Sequence, residues 1–172
     1  MATGADDIKD GRGLATADFD NDGDLDLVIN SNPGDSGRAE LSRATLLRNN
    51  VGATRNWLAV ELRGDGRRDN RDGVGAQVTI EAGGGRQLRL VTAGSGFASQ
   101  HTARLYFGLG TLERADALTV RWPSGRVERF EQVGGQAIGA RRLVRVTEGE
   151  GAESFALPAK QTPPAGARLA AE

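Results

Sequence analysis

Five aspartates stand at alternate positions in the run Asp18-Phe19-Asp20-Asn21-Asp22-Gly23-Asp24-Leu25-Asp26. Carboxylates packed this closely are in conflict, since two of them ~4 Å apart repel by ~4 kcal/mol even at an effective dielectric near 20. A hard divalent cation removes the conflict. Calcium takes roughly six to eight oxygen ligands, and the pattern D-x-D-x-D-G-x-x-D offers them within one turn. Asp18, Asp20 and Asp22 would each give a side-chain oxygen, Asp24 its backbone carbonyl, and Asp26 one or both carboxylate oxygens. Gly23 makes the turn. Tetrahedral zinc is disfavoured, because the chain has no Cys and its single His, His101, lies far along the sequence.

The flanks decide what kind of loop this is. An EF-hand carries a bidentate Glu at about the twelfth loop position and a helix on either side. Here that position is Ile29, and the exit segment Leu25 to Ile29 is apolar and β-branched. Strand propensity on the exit side makes it a loop-into-strand site of the kind found in calcium-binding propeller blades.

The elements that position the loop are short strands. Ala44 to Arg48 reads as a second strand, after the turn-forming segment Asn30 to Ser36. Trp57 to Leu62 alternates, with Leu58, Val60 and Leu62 on one face and Trp57, Ala59 and Glu61 on the other. Arg63 to Gly73 is charged and glycine-rich, as an exposed loop would be. Gln77 to Glu81 and Arg86 to Thr92 form a hairpin through Gly83-Gly84-Gly85, in which Leu88 and Leu90 are expected to pack with Val78 and Ile80. Leu105 to Phe107 is extended, and Leu112 to Asp116 suits one helical turn. Leu118, Val120 and Trp122 alternate into Pro123-Ser124-Gly125 and the strand Val127 to Phe130, and Leu143 to Val146 is the last strand expected. The reading is all-β: a single propeller-type blade fragment over 1–52, packed on or tethered to an antiparallel β-sandwich or barrel-like domain over 53–148. A disordered tail is expected over 149–172, where Ala, Pro, Gly and charged residues dominate.

Charge narrows the function. The net charge of −1 conceals an acidic head, with eight acids and two bases in residues 1–30, followed by thirteen acids and eighteen bases in residues 31–150. The arginines are interleaved with acids and no basic run carries aromatic platforms, which argues against nucleic acid. No apolar run approaches the ~20 residues of a membrane span. Met1 to Gly13 is polar and has no apolar signal core.

Two sets of motifs point to a family. Gly11-Arg12-Gly13-Leu14-Ala15, Ala17 to Ile29 and Leu46-Leu47-Arg48-Asn49-Asn50 resemble an FG-GAP or VCBS repeat. Asn56-Trp57-Leu58, Asn70 to Ala76, Gly94 to Gln100, Phe107-Gly108-Leu109-Gly110 and Val120 to Gly125 are similar, in order, to the ASPIC/UnbV domain of the cartilage acidic protein-like family. The resemblance implies a non-catalytic, calcium-binding β-module of an extracellular or envelope protein, acting in adhesion or in matrix and carbohydrate interaction. In the family several repeats and an export signal usually precede the domain, so the chain is expected to be a fragment of a longer propeller protein. A second expectation follows from the lone blade: a segment that completes a propeller or docks to a protein partner. Catalysis by Ser95, Ser99 and His101 is the alternative of another class. Ser95 lacks the G-x-S-x-G context, with Ala93 and Phe97 at the glycine positions.

Overall fold

The structure is a computed structural model and describes residues 10–32, 44–50 and 54–158. Fourteen strands are found among these residues, arranged in four sheets. The first sheet is β1 (Asp10–Ala17), β2 (Asp26–Asn32) and β3 (Ala44–Leu47), all antiparallel. Two four-stranded sheets build the main body. One has the order β14-β13-β4-β7, from Gly151–Phe155, Arg142–Thr147, Asn56–Arg63 and Leu105–Gly110. The other has the order β10-β9-β5-β6, from Val127–Phe130, Ala117–Arg121, Gln77–Ala82 and Gly85–Leu90. A small sheet of β11 (Gln132–Val133), β12 (Gln136–Gly139) and β8 (Arg114–Ala115) accompanies them.

The core lies between the two large sheets. Leu58, Val60 and Leu62 of β4, Phe107 of β7 and Val144 and Val146 of β13 meet Val78 and Ile80 of β5 and Leu118 and Val120 of β9. Each such side chain contributes about 1.5–3 kcal/mol on burial. Trp122 joins this core with its polar edge satisfied, Nε1 donating to Glu128 Oε2 at 2.6 Å. The alternation read in Trp57 to Leu62 is therefore correct, but Trp57 and Ala59 on the opposite face are buried as well, with Leu143. Among the described residues no sheet closes into a barrel, and the expected antiparallel pattern has one exception, the parallel pairing of β13 with β4 from Arg142↔Leu58 to Thr147↔Arg63.

Three local expectations are corrected. Leu88 and Leu90 do not pack with Val78 and Ile80; they are 54% and 49% exposed. Gly83 and Gly84, at φ 55° and 78°, make a two-residue turn that pairs Ala82 with Gly85. Val78 then faces Arg89 and Ile80 faces Gln87, so the leucines fall on the other face of the pleat. Leu112 to Asp116 is not a helical turn: Arg114 and Ala115 form β8, paired with Ile138 and Gly139. The tail expected from Gly149 starts instead with β14, held to β13 by backbone pairing from Thr147↔Gly151 to Leu143↔Phe155. The remainder of that expected tail, 159–172, and the 52/53 boundary lie outside the described residues, as do residues 33–36 of the expected turn.

Candidate metal centre and its seat on the β-domain

The aspartate run is the connection of a hairpin. Ala17 pairs with Asp26, so Asp18 to Leu25 form a closed loop between β1 and β2. Asn21 at φ 58° and Gly23 at φ 97° turn the chain back on itself, and Asp18 anchors the turn. Its Oδ1 accepts from the Asp22 amide at 3.1 Å and its Oδ2 from the Gly23 amide at 3.0 Å, while Asp22 Oδ1 accepts from the Asp24 amide at 3.0 Å.

The loop brings Asp18, Asp20 and Asp22 together, with one carboxylate oxygen of each within 4.8 Å of the others. Asp26 is placed differently. It is buried, and its oxygens accept from the Phe19 amide at 2.9 Å and the Asn49 amide at 2.8 Å, which ties the loop to the end of β3. Asp24 is buried beside the turn. Arg48, immediately after β3, reaches across and pairs with Asp20. In sequence Arg48 stands at the end of a strand and inside the Leu46-to-Asn50 motif, with nothing to assign it to the carboxylates; its position opposite an acidic head was the available signal.

The electrostatics fit a cation. Burial pushes the Asp18 carboxyl above its ordinary value, against the pull of the Gly23, Asp22 and Asn21 amides and the Tyr106 hydroxyl. Asp22 is also raised, first by burial and then by the charges of Asp20, Asp24 and Asp18, with the Asp24 amide opposing. Arg48 is held further in its charged form by its hydrogen bond to Asp20. An all-oxygen trio of carboxylates that resists its own charge suits a hard divalent ion, which would supply the missing positive charge there.

The same loop is seated on the β-domain. A Cβ added at Gly23 would lie 1.9 Å from Trp57 Nε1, so the bare glycine lies against the indole. Trp57 is stacked obliquely on Tyr106, with ring centroids 6.2 Å apart at 48°. Burial, with the nearby Asp18 charge adding to it, pushes the Tyr106 hydroxyl up to about 12, despite the opposing Arg104. Arg104 itself donates to Asn21 Oδ1 at 3.4 Å and to the Tyr106 hydroxyl at 3.3 Å. The Thr102 amide donates to the Thr16 carbonyl at 2.9 Å, a second tie between β1 and the β-domain.

Ser95, Ser99 and His101 lie at this seam. His101 Nδ1 accepts from the Thr16 amide at 3.1 Å, and Ser95 Oγ accepts from the His101 backbone amide at 3.4 Å, not from the imidazole. Ser99 Oγ is buried close to Gly96. The His101 ring is thus engaged in holding β1.

Comparison with known proteins covers both units. The ASPIC and UnbV family model matches residues 66–153, and the FG-GAP repeat model matches residues 11–47. Cartilage acidic protein 1 of Mus musculus and of Homo sapiens are each 35% identical over 118 residues, 68% of this chain. The Xenopus tropicalis protein of that name is 36% identical over 121 residues, 69% of the chain. The chain spans only 17%, 16% and 17% of the lengths of these three relatives. A crystal structure from Bacteroides uniformis, of a candidate cell adhesion protein, aligns over 81% of this chain and 60% of its own at 17% identity, with a TM-score of 0.35. The chain belongs to the ASPIC/UnbV family, with an FG-GAP repeat preceding the family's domain.

Proposed function

We propose that this chain is a calcium-stabilised, non-catalytic β-module of an extracellular or cell-envelope interaction protein. Its metal loop fastens the FG-GAP repeat to the ASPIC/UnbV domain. The observation that carries the reading is that the loop gathering Asp18, Asp20 and Asp22 also lays Gly23 on Trp57. Ordering the loop with a cation therefore orders the seam, and metal binding becomes folding free energy. An extracellular setting matches the chemistry: sites of extracellular modules bind calcium at roughly 10⁻⁴–10⁻³ M. The relatives are named for cartilage, an extracellular matrix tissue, which agrees with that setting. Among the described residues no helix is long and apolar enough to cross a membrane.

Calorimetric titration and thermal melts test the metal. With a Kd near ~1 mM, ~10 mM calcium stabilises the chain by about 1.4 kcal/mol. For a chain of this size that raises the Tm by about 3–6 °C. Asp18→Asn with Asp22→Asn is expected to abolish both the binding heat and the shift. Wild-type behaviour of that double variant would remove calcium from the loop.

A second reading, docking of the repeat to further blades or to a protein partner, has an observation of its own. Among the described residues, none of the buried hydrophobics comes from β1, β2 or β3, and Leu14 and Leu46 are exposed on opposite faces of that sheet. A sheet whose described strands bury so little gains by packing against neighbours. Light scattering on the chain in saturating calcium tests it, a monodisperse monomer counting against self-assembly.

A further inference from the structure

We propose that the groove between the Arg63–Asp72 loop and the Arg104 segment binds an acidic saccharide carrying isolated carboxylates of the uronic type. The proposal deepens the interaction-module reading of the preceding section and rests on it.

The groove encloses about 700 Å³ and is open to solvent. Its walls carry Arg63, Arg71 and Arg104 together with Glu61, Asp72 and Glu150. Glu61 is already balanced by Arg145, whose Nε lies 3.1 Å from Oε1. Arg104 Nη2 also reaches Glu61 Oε2 at 3.9 Å, which leaves Arg63 and Arg71 as the guanidinium groups of the lining that stand outside that cluster, with Asp72 and Glu150 on the same walls. Arg63 and Arg71 make no side-chain hydrogen bond or ion pair with the described residues, and both are exposed. Their planar donor forks are free to take a carboxylate in the bidentate manner that suits arginine.

The rest of the lining selects among anions. Asp72 and Glu150 are acceptors for sugar hydroxyls, and Thr102 and Thr147 present hydroxyl groups on the same walls. The two carboxylates would repel a polysulfated chain, while a polyol bearing one carboxylate satisfies donors and acceptors together. No aromatic residue lines the groove, so recognition runs through hydrogen bonds and charge. Arg104 also holds Asn21 of the metal loop at 3.4 Å, which ties one wall to the calcium site.

The test uses the full chain in saturating calcium, titrated with glucuronyl-β-1,4-glucose and with cellobiose, its neutral counterpart, followed by amide NMR shifts. The uronic disaccharide is expected to shift the amides of Thr102, Arg104 and Glu150 and to bind at least roughly tenfold more tightly than cellobiose. Arg63→Gln with Arg71→Gln should weaken it by roughly tenfold or more, while Arg121→Gln, on β9, leaves it unchanged. Equal binding of cellobiose, an undiminished affinity in the double variant, or equally tight binding of a polysulfated disaccharide overturns the proposal. Calcium titration of the same double variant separates the two readings. Wild-type calcium binding with lost saccharide binding supports the groove, and saccharide binding in a chain that takes no calcium sinks the metal reading alone.

Discussion

Gly23→Ala tests the seam between repeat and domain most directly. Two costs act at this residue. The backbone sits at φ 97°, where a residue with a Cβ pays about 1–2 kcal/mol. The new methyl would also lie 1.9 Å from Trp57 Nε1 and 2.2 Å from Cδ1, far inside van der Waals contact, so either the loop or the indole must move. Overpacking of this kind costs about 1–3 kcal/mol, giving about 2–5 kcal/mol in all. Gly66→Ala is the matched control: its φ is 71° but nothing lies within 4 Å of its Cβ, so it bears only the backbone cost. Urea denaturation followed by both circular dichroism and tryptophan emission reads the two apart. Trp122 stays buried in the main core, so a red shift before the main transition reports Trp57 losing its cover. The expected Gly23→Ala chain has red-shifted emission without urea and a lower midpoint than Gly66→Ala. Wild-type emission, with a midpoint no lower than that of the control, would refute the docking of the aspartate loop on Trp57.

Arg48→Gln removes the cation paired with Asp20 and leaves the carboxylate trio without its internal counter-charge. The expected outcome is a chain less stable in chelator and a wider gap between Tm values with and without calcium; an unchanged gap counts against Arg48 as counter-ion. Glu148 gives a pH signature. Burial, helped by contact with Asp69 and the charges of Asp69 and Asp65, raises its carboxyl above the ordinary 4.5, with the Asp65 amide opposing. Because the folded value lies above the unfolded one, the stabilisation is complete below the unfolded value and is lost as pH rises through the folded one. Glu148→Gln, neutral throughout, should therefore match the wild type near pH ~4 and exceed it increasingly toward pH ~7 in urea midpoints; a constant difference across that range would contradict the assignment.

The gathering of Asp18, Asp20 and Asp22 was legible because it is local. All of the loop's expected ligands fall between Asp18 and Asp26, and Gly23 announces the turn. The strands of the two large sheets were legible for a similar reason, since Leu58, Val60 and Leu62, or Leu118 and Val120, alternate with the pleat. Periodicity records burial, however, and not pairing. β14 carries Gly-Ala-Glu-Ser-Phe and is held mainly by its backbone ladder to β13, so its sequence resembled a solvated tail. The parallel pairing of β4 with β13 joins residues 84 apart, such as Glu61 and Arg145, and leaves no local mark. Leu88 and Leu90 were misplaced by one residue of register, which the Gly83-Gly84 turn decides and side-chain hydrophobicity does not. Arg48 escaped as part of the site because it acts on the loop from another element, whereas the burial of Trp57 against the blade was expected from its position at the start of the β-domain.

β4 explains why the two units behave as one. Its inner face, Leu58, Val60 and Leu62, belongs to the main core, and its outer face presents Trp57 and Ala59 to a second cluster with Leu143. Gly23 covers Trp57 on that outer face, and Tyr106 of the neighbouring β7 holds Asp18. A chain beginning at residue 54 keeps every main-core residue of the large sheets but strips this cover, exposing the indole edge beside Tyr106. Such a chain should fold yet bind a hydrophobic dye and associate with increasing concentration, while the full chain in calcium does neither. If the shortened chain is monomeric and silent to the dye, the outer face of β4 needs no cover. The repeat would then be an appendage and not part of the β-domain's packing.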